Sequence, residues 1–184
     1  MLKKFVRTMA YIGGIATGFY LFASAPGIHK KKKWQHLTGW DYAHRGLYDN
    51  EHGIPENSMA AFRRAVDKGY GIELDVHLTA DNQLVVFHDD TLTRMCGMNK
   101  KISSFLYSDL MQLRLLGTEE GIPLFKDVLE LIDGKVPLII ELKVDGSNQN
   151  LLCPLVWQLL SRYKGDYCIE SFHPFVLQWF KRHE

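Results

Sequence analysis

The stretch from His44 to Leu92 decides the fold, and it contains four short polar motifs. They are His-Arg-Gly at 44–46, Pro-Glu-Asn-Ser at 55–58, Glu-Leu-Asp-Val-His at 73–77 and Phe-His-Asp-Asp at 87–90. His44, His88, two alternating carboxylates and an arginine thus fall in short segments at the ends of apolar runs. This combination is typical of a metal-assisted phosphoryl-transfer site.

Strands and helices alternate around these motifs. We predict strands at 41–44, 72–78, 84–87, 136–142 and 167–172. We predict helices at 59–68, 108–116, 124–132 and 151–163, the last interrupted near its start by Pro154, and a further helix beginning at Pro174. Leu84–Phe87 is nearly all apolar, as expected of a strand buried on both faces in a parallel sheet. The alternation predicts an α/β fold with a parallel sheet.

Three carboxylates are candidates for a metal site. Glu73 and Asp75 alternate on one predicted strand, so both side chains point to the same face. Two adjacent carboxylates repel each other unless a positive charge lies between them. Glu141 follows an apolar run, where a lone carboxylate is costly without a partner. Three oxygen donors and no thiolate favour Mg²⁺ or Ca²⁺, and the sequence does not choose between them.

Two histidines and two cations complete the candidate site. His44 and His88 each end a predicted strand, and their ordinary pKa lets one accept and the other donate a proton near neutrality. Arg45 carries a guanidinium that matches phosphate oxygens. Lys143 lies two residues from Glu141 and so on the same face, although its spacing equally fits a surface lysine. Weaker candidates are His77, which could simply face solvent, and Asp89 and Asp90, of which Asp89 could only cap or orient.

The N-terminal region differs from the rest in charge. Seven basic residues and no acidic ones precede Asp41. The rest of the chain therefore has 15 basic and 21 acidic residues, which is a formal charge of about −6. Nucleic acid is not an expected partner, because a binder needs a basic surface on its folded part. The three cysteines are widely spaced and suggest neither a disulfide framework nor a zinc site. A P-loop and a GxSxG motif are absent from the sequence, which argues against NTPases and serine hydrolases.

The uncharged run from Met9 to Ile28 is long enough to span a bilayer, which takes about 20 apolar residues. We therefore predict a membrane anchor with basic flanks over residues 1–33, formed by a single transmembrane helix. A cleaved signal peptide is the alternative, since Ala23-Ser24-Ala25 imitates a cleavage site, but Pro26 would obstruct the peptidase. Basic residues nearly balance across the run, with a weak preference for a cytoplasmic catalytic part.

From Tyr42 to Pro174 the sequence resembles the glycerophosphodiester phosphodiesterase family. The motifs that carry the resemblance are His44-Arg45-Gly46, Pro55-Glu56-Asn57-Ser58 with Ala61-Phe62, Glu73-Leu74-Asp75-Val76, Val86-Phe87-His88-Asp89 with Leu92 and Arg94, Ile122-Pro123, Glu141-Leu142-Lys143 and Ser171-Phe172. Ser58 stands where the family usually has threonine, which keeps the hydroxyl.

The resemblance implies a TIM barrel that hydrolyses glycerophosphodiesters to glycerol 3-phosphate and an alcohol. It implies that His44 and His88 are the general acid and base and that Arg45 and Lys143 hold the phosphate. Glu73, Asp75 and Glu141 would bind the metal. Residues 91–121 would correspond to the family's insertion and overhang the site.

The length departs from the family pattern. A (β/α)₈ barrel takes about 250 residues, and only about five strands are predicted in residues 34–184. We therefore expect a partial barrel, belonging to a longer protein, to a truncated product, or to chains whose halves complete each other. The alternatives to glycerophosphodiester hydrolysis are phospholipase D-like action on lysophospholipids at the membrane and a non-catalytic membrane protein that retains metal or ligand binding. Oligomeric state and head-group preference are not predicted.

Overall fold

A computed structural model describes residues 35–183 of the chain. The elements in chain order are β1 (Tyr42–His44), α1 (Met59–Lys68), β2 (Gly71–Leu78), β3 (Leu84–Val86), α2 (Thr93–Cys96), α3 (Tyr107–Leu110), α4 (Phe125–Ile132), β4 (Leu138–Leu142), α5 (Gln149–Leu160), β5 (Tyr167–Glu170) and α6 (Pro174–His183). Short 3₁₀ turns lie at Asn50–His52, Ile102–Ser104 and Leu115–Gly117. The predicted membrane anchor lies outside the described residues. Among the helices of residues 35–183, none is long and apolar enough to cross a membrane.

Four strands form a parallel sheet in the order β1-β2-β4-β5. The prediction of an α/β fold with a parallel sheet is therefore confirmed. In the part of the chain that the structure describes, β1 pairs only with β2 and β5 only with β4. The closed eight-stranded barrel consequently stays a prediction.

The assignment of Leu84–Phe87 to the parallel sheet is wrong. β3 is antiparallel to β2, with Val76 opposite Val86 and Leu78 opposite Leu84, and it lies off the main strand order. The turn at Asp81-Asn82 reverses the chain, and Asn82 tolerates the required positive φ of 62°. The strand is nevertheless fully buried, because a second hydrophobic cluster covers its outer face.

That second cluster gives residues 91–121 a core of their own. It consists of Val85, Phe87, Leu92, Met95, Ile102, Leu110, Leu115 and Ile122. The helix predicted at 108–116 is shorter in the structure, since α3 ends at Leu110 and Leu116 adopts a left-handed φ of 50°. The segment between β3 and α4 is therefore a packed subdomain beside the sheet.

The longer helices pack against the sheet. α1 begins after Ser58, whose hydroxyl accepts a hydrogen bond from the N–H of Ala61, and it ends at Gly69 in the left-handed conformation. Its buried residues join those of α4, α5 and α6 in the main core. α5 is continuous from Gln149 to Leu160 with Pro154 inside it, so the predicted interruption near its start is not seen.

Candidate active site and metal centre

Strand register brings the predicted metal ligands together. Asp75 on β2 is the direct partner of Glu141 on β4, so their side chains lie on the same face of the sheet. Glu73 lies two residues before Asp75 and shares that face. One carboxylate oxygen from each of these three residues lies within 4.8 Å of the other two. The structure thus places three acidic groups from two separate strands around one point.

Burial makes this acidic group electrostatically costly. The side chain of Asp75 is fully buried, and those of Glu73 and Glu141 are 12% and 13% exposed. Burial and then the neighbouring charge of Asp75 raise the pKa of Glu73 to about 7, with Glu141 adding to the effect. A hydrogen bond from the backbone N–H of Arg45 opposes this rise.

Lys143 contacts two of the three carboxylates. Its Nζ lies 2.8 Å from Oε2 of Glu141 and 3.0 Å from Oδ1 of Asp75. Burial alone would lower the pKa of Lys143, but the hydrogen bond to Glu141 and the charge of Asp75 outweigh it and raise that pKa. The lysine therefore lies in the site, and the alternative of a surface lysine does not fit its position.

Arg45 approaches the same group from β1. Its Nε lies 3.8 Å from Oδ2 of Asp75, and its Nη1 donates a 2.9 Å hydrogen bond to Oε1 of Glu56. Its backbone is left-handed, with φ of 59°, which turns its N–H toward Glu73. The guanidinium is thus held at the edge of the acidic group by one carboxylate on each side.

Asn57 supports this arrangement from the loop before α1. It is 2% exposed and left-handed, with φ of 54°. Its side-chain Nδ2 donates a 2.9 Å hydrogen bond to Oδ2 of Asp75, and its backbone N–H donates to the carbonyl of Arg45 at 2.9 Å. No role in the site was predicted for Asn57 from sequence, and the cap of α1 is Ser58.

The two predicted catalytic histidines have different environments. His44 is 65% exposed in its side chain, and its Nε2 lies 3.7 Å from Oε2 of Glu73. His88 is about one-third exposed, and its Nδ1 lies 2.6 Å from Oδ1 of Asp89. Asp89 stays ionised, because hydrogen bonds from Arg94 and His88 hold its pKa below the ordinary value despite partial burial. An ionised carboxylate only accepts, so Nδ1 of His88 carries a proton, and in the neutral ring Nε2 is the acceptor.

His77 does not face solvent, contrary to the interpretation from sequence. It is 2% exposed, and its Nε2 lies 3.2 Å from the carbonyl oxygen of His88. Burial lowers its pKa, which favours a neutral ring that donates to that carbonyl. His77 therefore supports the backbone that carries His88.

Two residues to which sequence reasoning gave no role, Glu56 and Arg94, connect Arg45 to His88. Arg94 donates hydrogen bonds to both Glu56 and Asp89, and Glu56 also accepts one from Arg45. Both residues lie within the motifs quoted above, but Glu56 and Arg94 are 38 positions apart in sequence. A local pattern carries no signal of such a pair.

The segment 91–121 touches the loop that follows β4. Nζ of Lys101 lies 2.7 Å from Oδ1 of Asp145, and the hydroxyl of Ser103 donates a 2.6 Å hydrogen bond to Oδ2 of the same residue. Asp145 is two positions beyond Lys143. The segment therefore contacts the loop that carries this cation, while its predicted position over the site stays a prediction.

The residues present fit a hard divalent cation. In the described residues, Oε1 of Glu141 is buried without a hydrogen-bond donor, and Oδ1 of Asp75 has only the ion pair with Lys143. Unpaired buried oxygens are costly, and a cation between them would remove that cost. Glu73, Asp75 and Glu141 supply carboxylate oxygens only, which are the ligands of Mg²⁺ and Ca²⁺.

Comparison with known proteins gives a consistent family assignment. The model of the glycerophosphoryl diester phosphodiesterase family matches residues 44–164. A human lysophospholipase D is 34% identical over 173 residues, which is 86% of this chain and 52% of the relative. A glycerophosphodiester phosphodiesterase of Bacillus altitudinis is 37% identical over 113 residues, covering 58% of this chain and 45% of the relative.

A solved structure shows the same fold. The phosphodiesterase of Oleispira antarctica in complex with the product sn-glycerol-3-phosphate superposes with a TM-score of 0.72 at 27% identity. The match covers 79% of this chain and 62% of that one. The chain spans about half the length of the curated lysophospholipase D relatives it matches.

Proposed function

This chain belongs to the glycerophosphoryl diester phosphodiesterase family, and we propose on that premise that it carries the metal and phosphate site of an enzyme that hydrolyses glycerophosphodiesters. The products would be glycerol 3-phosphate and an alcohol. The observation that carries the proposal is the cluster of Glu73, Asp75 and Glu141, with Lys143 and Arg45 at its edge. The bacterial phosphodiesterase structure that holds sn-glycerol-3-phosphate supports the product.

The charges of the site support a requirement for a divalent cation. Three carboxylates outnumber the cations Arg45 and Lys143, and Arg45 is shared with Glu56. A singly charged phosphodiester would therefore meet a net negative site in the absence of a cation. Glu73, Asp75 and Glu141 would hold Mg²⁺ or Ca²⁺, which when bound supplies Lewis-acid polarisation of the phosphate.

Arg45 and Lys143 are proposed to bind the phosphate oxygens. The guanidinium of Arg45 offers several donors, of which Nη1 is used by Glu56 and Nε has no hydrogen-bond partner. A buried donor without a partner is suited to a ligand oxygen. Lys143 offers a point charge on the other side of Asp75. Both groups would stabilise negative charge that develops on the phosphate.

The histidines are proposed to move the two protons of the reaction. Because Asp89 fixes the proton on Nδ1 of His88, Nε2 of His88 is available as a base. His44 lies beside Glu73 and is exposed, so it can exchange protons with solvent. One histidine would deprotonate the nucleophile, either water or the neighbouring glycerol hydroxyl of the substrate, and the other would protonate the leaving alcohol.

Alanine substitution of His44 and of His88 tests this assignment. The full chain is assayed with glycerophosphocholine in the presence of Mg²⁺ or Ca²⁺, and each substitution is expected to abolish turnover while the circular dichroism spectrum is unchanged. His52→Ala is the matched control, because His52 is exposed and pairs only with Asp49 in the described part of the chain. Retained activity in either test variant would refute the assignment.

A second candidate function is hydrolysis of lysophospholipids in the manner of a lysophospholipase D. The observation that favours it is the human relative of that name, which matches 86% of this chain. Lysophosphatidylcholine and glycerophosphocholine carry the same head group and differ in the acyl chain. A higher kcat/KM for the first would select this candidate, and activity on neither with either cation would select a binding protein without catalysis.

We also propose that residues 9–28 anchor the protein in a membrane. This proposal depends on the uncharged run in the sequence alone. A lipid substrate at the membrane would be consistent with such an anchor. Fractionation of cells that express the full chain, with a reporter after Glu184, tests both the anchor and the expected cytoplasmic side.

A further inference from the structure

Arg94 makes an unusual number of charge-assisted hydrogen bonds for a side chain that is 44% exposed. Its Nη1 and Nη2 donate to the two carboxylate oxygens of Glu56 at 2.9 and 2.7 Å. Its Nε and Nη2 donate to the two oxygens of Asp89 at 2.8 and 3.0 Å. The guanidinium is thus bidentate to two carboxylates at once, which only arginine can achieve.

Each of these carboxylates holds a residue of the proposed site. Glu56 is 5% exposed and accepts a hydrogen bond from Nη1 of Arg45. Asp89 accepts one from Nδ1 of His88. Hydrogen-bond donors and acceptors therefore alternate in an unbroken series along five side chains, which are Arg45, Glu56, Arg94, Asp89 and His88.

An ordinary surface ion pair would not explain this series. Exposed pairs contribute little to stability, because solvent screens them and ordering both side chains costs entropy. Here Glu56 is buried, and without Arg94 one of its oxygens would lose its donor in a nearly water-free place. The planar guanidinium also fixes the angle between the two carboxylates that it joins, because its donors form a rigid fork.

We propose that Arg94 is a positioning residue that fixes the His88 imidazole relative to the Arg45 guanidinium. It acts through Glu56 on one side and Asp89 on the other, and it does not itself contact the substrate. The geometric part of this inference can be tested without turnover. The functional part rests on the proposed function, because it assumes that Arg45 binds the phosphate and that His88 transfers a proton. Arg94 thereby couples the segment 91–121 to the site.

The geometric part is tested by the ¹⁵N spectrum of the His88 ring in the full chain labelled at histidine. Once the ring is neutral, the wild-type spectrum is expected to show a protonated Nδ1 and an unprotonated Nε2. Arg94→Gln is expected to release Asp89 and to give a mixture of both tautomers, with Arg94→Lys between the two. The matched control is Arg64→Gln, because Arg64 has similar exposure and pairs with Asp49 away from His88.

The functional part is tested by the kinetics of the same variants with glycerophosphocholine. Loss of a partner that orients a metal-ligating histidine costs about 10- to 100-fold, and on the same scale we expect kcat to fall about tenfold in Arg94→Gln with a smaller change in KM. Arg64→Gln is expected to match the wild type in both measurements.

The two readouts separate this inference from the proposed function. A wild-type chain without activity would refute the proposed function, while the tautomer of His88 would still decide the role of Arg94. An unchanged His88 spectrum in Arg94→Gln, or an equal change in Arg64→Gln, would overturn the inference. Should Arg94→Gln fail to fold, Arg94→Lys gives the decisive spectrum, because it keeps the charge but cannot hold both carboxylates.

Discussion

The backbone N–H of Arg45 donates a 2.9 Å hydrogen bond to Oε2 of Glu73, across from β1 to β2. His44, one position earlier, is the register partner of Glu73 in the sheet. The left-handed conformation of Arg45 lets the chain leave β1 while its N–H still faces this carboxylate. The His-Arg-Gly motif is therefore attached to the metal site by its main chain as well as by its side chains.

The environment of Glu73 predicts that the free energy of unfolding of the metal-free protein depends on pH. Its pKa is raised from 4.5 to about 7, first by burial and then by Asp75. Below pH 4.5 it is protonated in both folded and unfolded states, so its contribution to stability is fully present. That contribution is lost as the pH rises through 7, at a total of about 3 kcal/mol.

Glu73→Gln should therefore stabilise the protein in EDTA at about pH 8 and change little near pH 4.5. Urea denaturation across this range measures the free energy of unfolding of both proteins. Glu130→Gln is the control, because Glu130 is exposed on α4. If Glu73→Gln and the wild type keep a constant difference at all pH values, the raised pKa is wrong.

Cation binding should depend on the three clustered carboxylates. A cation that binds only the folded protein raises the free energy of unfolding by about 2.7 kcal/mol at 100 times its Kd. We expect Mg²⁺ or Ca²⁺ to raise the melting temperature of the wild type and to do so much less in Asp75→Asn and Glu141→Gln. Calorimetric titration gives the corresponding loss of affinity.

Glu170 provides a sharp control for that measurement. It is the register partner of Glu141 on β5 but is exposed and lies outside the carboxylate cluster. Glu170→Gln should leave cation affinity nearly unchanged. An equal loss in this variant would show that general negative charge, and not the cluster, attracts the ion.

The sequence predicted the parts of the site that depend on strand periodicity. Alternation put Glu73 and Asp75 on one face, and an apolar run marked Glu141 as the end of a buried strand. These inferences follow from a side-chain period of two, which is a local property. The meeting of Asp75 with Glu141 also required a register, which the family resemblance implied and the sheet shows.

The parts that were missed depend on contacts distant in sequence or on chain direction. An apolar run such as Leu84–Val86 has the same residue pattern in a parallel and in an antiparallel strand. Only the short turn after Leu78 indicates a hairpin. His77 could be interpreted as solvent-facing because its burial is a tertiary effect that a local pattern does not show. The pairing of Glu56 with Arg94 is likewise invisible without the fold.

Gly46 should be intolerant of a side chain. Its φ is 78°, and a Cβ there would lie 2.9 Å from Cβ of Ala61 and 3.0 Å from the ring of Phe62. Gly46→Ala combines left-handed strain of about 1–3 kcal/mol with overpacking, and it should displace Arg45. Urea denaturation should show a loss greater than that of Gly53→Ala, whose φ of 74° is similar but whose Cβ would meet nothing within 4 Å. Equal losses would mean that packing against α1 is not what requires this glycine.

The contact between Ser103 and Asp145 should restrain the loop that carries Lys143. Ser103→Ala removes a 2.6 Å hydrogen bond to Oδ2 of Asp145, and a net loss of about 1 kcal/mol should speed amide hydrogen exchange of the loop about fivefold. Mass spectrometry of peptides covering 143–148 measures this rate. Ser104→Ala is the matched control, because the hydroxyl of Ser104 donates to the carbonyl of Lys101 within its own turn. Equal exchange in the two variants would show that the segment 91–121 does not hold this loop through Ser103.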